Sequence, residues 1–369
     1  MIGSDRWIMD VHAPTLEFAN EVGRLLDDGL LVANCGGTIL AVNNAAVRLL
    51  GESVVGKNIA EVVEYDEAIE KLTRLANDGI DKEFVFQPKS AVRREFKVRI
   101  KQLENGLVLV LLMDMTLQRN LEKVRRDFVA NVSHELRSPL TSLAGFIETI
   151  LDNEIQDHET LTGFLKIMDE EAKRMARLID DLLSLSRVEV DEHIVPSEIV
   201  PLLEVVGSVI HSLEDRAKRR EMRIDFLDNR ATSSANLFMY GYADEINEVF
   251  HNLIDNAIKY GFEKTSIIVH VDAQRDDHVI ISVSNFGDQI AEKHLSRLTE
   301  RFYRVDKARS RQIGGTGLGL AIVKHIVTRH RGLLSVKSLP KGKTTFTVEL
   351  PIINESERKK TSKRRNASS

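Results

Sequence analysis

The stretch FVANVSHELRSPLTSLAGF sets His134 among groups that could make a histidine reactive. A neutral imidazole is a competent nucleophile near neutral pH. The adjacent carboxylate, Glu135, could accept or orient the ring proton while the other nitrogen attacks. Ser138 follows one helical turn later on the same face. A zinc-protease H-E-x-x-H pattern fails, because its second histidine would stand at position 138, which is Ser138. Further along, HNLIDNAIKYG places Asn252, Asn256, Lys259 and Tyr260 on one side of a helix. Amide oxygens are hard ligands that suit Mg²⁺, and an ammonium suits a polyphosphate. Standing alone, the same pattern would describe a solvated polar face. ISVSNFGDQI puts Asn285 and Gly287 just after a strand, where a polar side chain could read a base edge. GGTGLGLAIVKHIV then carries Gly315, Thr316, Gly317, Leu318 and Gly319 straight into an apolar helix. Glycines there let backbone N–H groups approach phosphates at a helix N-terminus. The spacing is not G-x-G-x-x-G, so a dinucleotide fold is not indicated. Gly342-Lys343-Thr344 looks like the end of a Walker A loop, but that motif needs glycine at position 337, where Lys337 stands.

Elements of three kinds must position these groups. From Leu117, the apolar residues Leu121, Val124, Phe128, Val132, Leu136, Leu140, Leu143, Ile147 and Ile150 recur at steps of three and four, the mark of a long amphipathic helix. With about 100° per residue, His134 is about 200° from each of Val132 and Leu136, two residues away on either side, so it faces away from the apolar stripe. Pro139 cannot donate to the carbonyl of Glu135 and should loosen the helix just past the histidine. The polar stretch DNEIQDHET breaks the run. A second helix follows, with Leu165, Met168, Ala172, Met175, Ile179, Leu182 and Ser186 at alternating steps of three and four. Two helices cannot bury such stripes between themselves alone, and pairing two hairpins in a homodimer solves this. A hairpin packed on another domain of its own chain is the competing reading.

Before the hairpin, GLLVANCGGTILAVN reads as two strands around the Gly36-Gly37 turn. NAAVRLLG reads as a short helix closed by Gly51. EFVFQP, REFKVRIKQL and the apolar LVLVLLM supply three more strands. After Pro196 and Pro201, residues 197–351 mix helices with the strands SIIVHVDA, HVIISVSN, LLSVKS and TTFTVELP, an α+β layer structure. The end, ESERKKTSKRRNASS, has no apolar core residues and reads as a basic disordered tail over 355–369.

Bulk properties narrow the classes. The 369 residues exceed one core at roughly 150 residues per domain, so two or three units are expected. A net charge of -5 argues against a nucleic-acid binder, which needs a concentrated basic surface. The single cysteine, Cys35, excludes an intrachain disulfide framework and argues against a cysteine-based zinc cluster. The N-terminus carries no signal-peptide core, and LVLVLLM is too short to cross a bilayer. A cytoplasmic protein without a transmembrane segment is expected, with membrane association only through a partner or a missing N-terminal segment.

HELRSP, NLIDNAIKY, ERFYRVD and GGTGLGLAIVKHI, in this order, resemble the sensor histidine kinases of two-component systems. The resemblance covers residues 117–351, or 15–351 when the N-terminal strands are included. It implies a multidomain chain: a PAS-like α+β sensory domain at 15–115, a dimerisation and phosphotransfer hairpin at 117–192 that forms a dimeric four-helix bundle, and a GHKL-type α/β two-layer ATP-binding domain at 197–351. It implies an ATP-dependent protein-histidine kinase in which His134 is the phosphoacceptor and Glu135 the assisting base. ATP would be held near Asn252 with Mg²⁺ at Asn256, with phosphate contacts from Lys259 and the loop Gly315 to Gly319, and adenine against Tyr260. Residues 304–314 would form a lid carrying Arg309 and Arg311 as charge stabilisers. The implied partner is the receiver domain of a response regulator, phosphorylated on an aspartate. The wording HLSRLTERFYRVDKARSR is most similar to phosphate-regulon sensor kinases.

Three positions depart from the family pattern. Asn285 stands where an adenine-reading aspartate is usual, Gln289 replaces the second glycine of that motif, and Lys343 replaces a later glycine. Ser138 stands where many relatives carry threonine in an element linked to dephosphorylating the partner; the hydroxyl is kept, which leaves room for phosphatase activity. The departures at Asn285 and Gln289 motivate a rival reading, a catalytically weak dimeric scaffold or phosphatase for a response regulator. A GHKL ATPase of the gyrase or chaperone sort leaves HELRSP on a dimerising helix unexplained. An amide oxygen still accepts the adenine amino proton, without a charge. The expected outcome is therefore weakened nucleotide binding in an ATP titration, and no binding at millimolar ATP would contradict it.

Overall fold

The computed structural model describes residues 21–353 apart from 22, 35, 52–53, 64–81, 87–93, 104–105, 153–156, 192–193, 231–236, 276, 307–314 and 341. The basic C-terminal stretch and residues 307–314 thus lie outside the described residues. The chain divides into two compact units, Met1–Ala130 and Asn131–Ser369.

In the first unit, β1 (Gly29–Asn34), β2 (Ile39–Val42), β3 (Lys82–Phe86), β4 (Phe96–Gln102) and β5 (Leu107–Asp114) form one antiparallel sheet in the order β2-β1-β5-β4-β3. The five strands are those the hydrophobic patterns indicate. The β1–β2 connection turns at Gly37, whose φ of 81° is a region that glycine enters without a Cβ penalty. Helix α1 (Asn44–Leu50) ends at Gly51, and α2 (Ile59–Val63) follows. The side chain of Asn43 is buried and fully used: its oxygen accepts from the amides of Leu30 and Ala46, and its nitrogen donates to the carbonyls of Gly23 and Asp28. Leu31, Ile39, Phe96, Val98, Val110 and Leu112 form the core beneath.

Strand β5 runs directly into α3 (Thr116–Asp152), a single 37-residue helix that contains Pro139. The junction is tied to the start of β4, because the Glu95 amide donates to Thr116 Oγ1 and Arg119 pairs with the Glu95 carboxylate at 3.2 Å. Helix α4 (His158–Val190) is capped by Asp157, which accepts from the amides of Glu159 and Thr160. The polar DNEIQDHET segment therefore ends one helix and starts the next, as its composition indicates.

The remainder is a two-layer α/β structure. Strands β7 (Arg223–Asp228), β9 (Ser266–Arg275), β10 (His278–Phe286), β11 (Leu333–Ser338) and β12 (Lys343–Pro351) form a sheet in the order β11-β12-β10-β9-β7, antiparallel except for the β7–β9 pair. β12 alternates half-buried and buried residues along its whole length, so one face is sealed. Against it pack α5 (Leu202–Lys218), α6 (Ala243–Tyr260) and α8 (Gly319–Arg329), with the short α7 (Glu292–Leu295) near β11. Val209, Leu213, Val249, Leu253, Ala257, Ile322 and Ile326 on these helices are all buried. A small ribbon of β6 (Ile199–Pro201) and β8 (Phe238–Tyr240) closes one end.

Candidate active site

His134 lies on α3 and is exposed, whereas Val132 and Leu136 are half-buried, the orientation its helical phase indicates. Pro139 is the one buried residue of α3. Ser138 is exposed one turn beyond the histidine. Glu135 points elsewhere: its Oε2 accepts from Arg174 Nη2 of α4 at 3.0 Å and from Arg304 Nη2 at 3.1 Å. The Arg304 side chain is only 5% exposed, and the same Nη2 donates to the carbonyl of Thr316 at 2.8 Å. One guanidinium therefore connects the neighbour of His134 to the glycine-rich loop.

That loop approaches the helices closely. The N–H of Phe302 donates to the carbonyl of Gly317 at 2.8 Å. Both residues have positive φ, 62° for Phe302 and 77° for Gly317. A phenylalanine in the left-handed region is costly, and here the hydrogen bond helps to hold it. A side chain at Gly317 would press on the backbone of Phe302. A Cβ at Gly319, the first residue of α8, would collide with the amide oxygen of Asn252. The loop and the polar face of α6 are therefore packed against each other, with Asn252 also donating from Nδ2 to the Glu248 carbonyl at 3.0 Å. Asn256 and Tyr260 are half-buried on α6. Lys259 Nζ is held 2.8 Å from Asp255 of its own helix, and Asp255 also pairs with Arg216. Amide oxygens and an ammonium beside a helix N-terminus whose glycines admit no side chain fit Mg²⁺ and phosphate groups.

Near the end of β10, Asn285 is buried, with 6% exposure. Gly287 is wedged between two backbones. Its N–H donates to the carbonyl of Gly342 at 2.8 Å, and a Cβ on it would strike the carbonyl of Tyr260. Gly342, with φ of 77°, approaches the Gly287 carbonyl so closely that it too must lack a side chain. The Gly342-Lys343-Thr344 sequence is thus a structural turn against Gly287. Gln289 is exposed. Arg309 and Arg311 lie outside the described residues.

Sequence reasoning missed a second face of α4. Leu178, Leu185 and Val188 are buried off the expected stripe, and α4 packs across α8 there. Polar contacts line the same face. Thr316 Oγ1 donates to Asp181 Oδ2 at 2.5 Å, Ser184 donates to the Glu248 carboxylate at 2.7 Å, and Arg301 pairs with Glu189 at 2.6 Å. The exit from α4 is held by buried Arg329, which donates to the Ile194 carbonyl, pairs with Glu245 and stacks on Tyr242. Burial lowers the pKa of neighbouring His330, whose Nδ1 sits 2.8 Å from the Ile326 carbonyl. The signal for this face lay in the sequence, since Leu178 and Leu185 are seven residues apart outside the first stripe.

Burial likewise raises the pKa values of the Asp181 and Glu248 carboxyls above the ordinary range. The Thr316 hydroxyl and Lys259 oppose the rise at Asp181, and Asp180 adds to it against Arg177. The Ser184 hydrogen bond opposes it at Glu248, where the charge of Asp181 adds to the rise and Arg187 counters it.

Two family models match this chain: the "His Kinase A (phospho-acceptor) domain" over residues 124–190 and the "Histidine kinase-, DNA gyrase B-, and HSP90-like ATPase" over residues 241–354. The sensor histidine kinase WalK of Bacillus subtilis is 31% identical over 346 residues, covering 90% of this chain and 55% of that protein. A sensor protein kinase WalK of Staphylococcus aureus is 33% identical over 335 residues, covering 88% of this chain and 79% of that sequence. The chain thus spans about half the length of the Bacillus relative. The solved structure of histidine kinase ThkA in complex with the response regulator protein TrrA shares the fold, with a TM-score of 0.51 at 21% identity over 88% of this chain and 96% of that one. Among the described residues no helix is long and apolar enough to cross a membrane.

The raised carboxyls make the contact between α4 and the α6–α8 layer pH-dependent. A carboxyl whose pKa rises on burial favours the packed state fully below its ordinary pKa, and that contribution is lost as the pH climbs through the raised value. Amide hydrogen exchange along α4, corrected for intrinsic rates, should show firmer packing near the ordinary carboxylate pKa than at neutral pH. Equal protection at both, or firmer packing at neutral pH, would contradict this origin of the contact.

Proposed function

The chain belongs to the sensor histidine kinases, and on that premise we propose that it phosphorylates His134 from ATP and passes the phosphoryl group to an aspartate on the receiver domain of a response regulator. The observation that carries the reading is the path from Glu135 through Arg304 to the Thr316 carbonyl, which joins the neighbour of an exposed histidine to the glycine-rich loop.

His134 presents a ring nitrogen to solvent, where a phosphoryl donor and later an acceptor can both approach. Glu135 takes or orients the ring proton through Oε1, the oxygen not engaged by Arg174 or Arg304. Asn256, with Asn252 beside it, would hold Mg²⁺, which when bound neutralises phosphate charge. Lys259 and the amides of the loop Gly315 to Gly319 receive the phosphates once Lys259 leaves Asp255. Tyr260 and Asn285 would take the adenine, and Arg309 and Arg311 are the candidate stabilisers of the transferred charge. Ser138 supports a phosphatase step on the phosphorylated regulator. Its exposure one turn from His134 supports this reading.

The protein works as a homodimer in this reading. Leu140 at 57%, Ile147 at 46%, Leu165 at 52% and Ile179 at 45% exposure continue the apolar stripes of α3 and α4, and a second hairpin would cover them. Residues 15–115 act as a PAS-like sensor, a reading supported by the strand order β2-β1-β5-β4-β3 and by the direct run of β5 into α3. Phosphate as the stimulus rests on the wording around ERFYRVD, whereas the relatives described above are WalK sensors. The rival reading, a weakly catalytic scaffold or phosphatase, is favoured by Asn285 and Gln289 alone.

Incubation with γ-labelled ATP separates the two. Label that is acid-labile and alkali-stable, and absent from His134→Ala, is the expected result; no label at saturating ATP favours the scaffold. Asn256→Ala should lower the labelling rate by roughly a hundredfold, the loss typical of a polar group that stabilises transferred charge. Unchanged labelling in that variant would remove Asn256 from the site.

A further inference from the structure

Asp181 lies where nothing in the proposed transfer reaction requires a carboxylate. It is a half-buried residue of α4, yet its Oδ2 accepts a hydrogen bond from Thr316 Oγ1, inside the glycine-rich loop at the start of the 11-residue helix α8. The same hydroxyl is 3.3 Å from the Leu318 amide, so Thr316 links the carboxylate to the backbone that opens the helix. Lys259 is close enough for its charge to favour the ionised carboxylate. A loop hydroxyl, a lysine and a helix N-terminus are also the partners that the nucleotide reading gives to phosphate.

The surrounding contacts fix the carboxylate there. Ser184 to Glu248, three residues further on α4, and Arg301 to Glu189, two turns further, hold the helix on the α6–α8 layer. Buried Leu178, Leu185 and Val188 supply the apolar part of the contact. A phosphate entering the loop would compete for the same donors and would meet a like charge at short range, which is costly in a site partly shielded from water.

We propose that Asp181 is an intrachain stand-in for phosphate: seated on Thr316, it weakens nucleotide binding until α4 and the loop separate. The proposal rests on the nucleotide reading above and adds to it a residue outside the ATPase domain that sets ATP affinity. Linkage makes the effect reciprocal, so bound nucleotide loosens α4 by the factor by which α4 weakens nucleotide.

The test is calorimetric titration of a non-hydrolysable ATP analogue with Mg²⁺ into the full chain, comparing the unmodified protein with Asp181→Asn and Ser184→Ala. Asp181→Asn removes the charge and keeps the shape, and should bind about fivefold tighter or more. Ser184→Ala weakens the same helix contact without touching the loop, and should gain less. Asp181→Ser, also neutral, repeats the measurement if the amide disturbs folding. Neutral variants that bind no tighter than the unmodified protein would overturn the proposal while leaving the nucleotide site intact. An equal gain from Ser184→Ala would also overturn it, since the effect would then belong to packing in general. If no form binds the analogue, the nucleotide reading falls and this proposal falls with it.

Discussion

A buried guanidinium must find partners for its charge, and Arg304 finds them on both sides of the catalytic unit. Its side chain is 5% exposed, and its Nη2 donates both to the Glu135 carboxylate of α3 and to the Thr316 carbonyl of the glycine-rich loop. Removing one partner of such a pair leaves a charge unpaired in poor solvent, which is strongly unfavourable. The contact therefore constrains where the phosphoacceptor helix and the loop can sit. The other polar contacts at this junction, Thr316 to Asp181 and Ser184 to Glu248, extend it along α4. Each uses a side chain that would otherwise be hydrated, so the junction is held by groups that water can also satisfy. Such an interface can separate without exposing a large apolar surface.

That balance suits a protein whose proposed reaction has two stages with different partners. His134 must meet ATP, and then a response regulator, on one exposed face. A contact built only from leucine and valine would bind the ATPase layer to the hairpin too firmly for the exchange. Leu178, Leu185 and Val188 supply a modest apolar strip, and carboxylates with raised pKa values flank it. The apolar residues left exposed on α3 and α4 lie on a different line, so one hairpin presents separate faces to its own ATPase layer and to the proposed second copy.

The local architecture was legible in the sequence. The segments HVIISVSN and TTFTVELP marked β10 and β12, the three-and-four spacing marked α3 and α4, and the phase of Val132 and Leu136 set the outward direction of His134. These features depend on neighbours a few residues apart. The junction was not legible, because its partners are separated by 39 residues for Glu135 and Arg174, 135 for Asp181 and Thr316, and 169 for Glu135 and Arg304. Charged residues on an amphipathic helix read by default as solvated, and although the spacing of Leu178 and Leu185 puts Asp181 on their face, it does not name Thr316 as the partner. Lys259 shows the same limit from the other side. Its place on the polar face of α6 was correct, but a local partner, Asp255, four residues earlier, takes the ammonium. The strained backbone at Phe302 follows from the close approach of Gly317 and has no signature of its own in the sequence.

The central claim is that Glu135 and Arg304 act as one unit between the histidine and the loop. A double-mutant cycle on the initial rate of His134 labelling from γ-labelled ATP tests it, with Glu135→Gln, Arg304→Met and both together. Residues that act through each other are non-additive. The account predicts that the double variant is no slower than the slower single variant. Losses that multiply independently would contradict it.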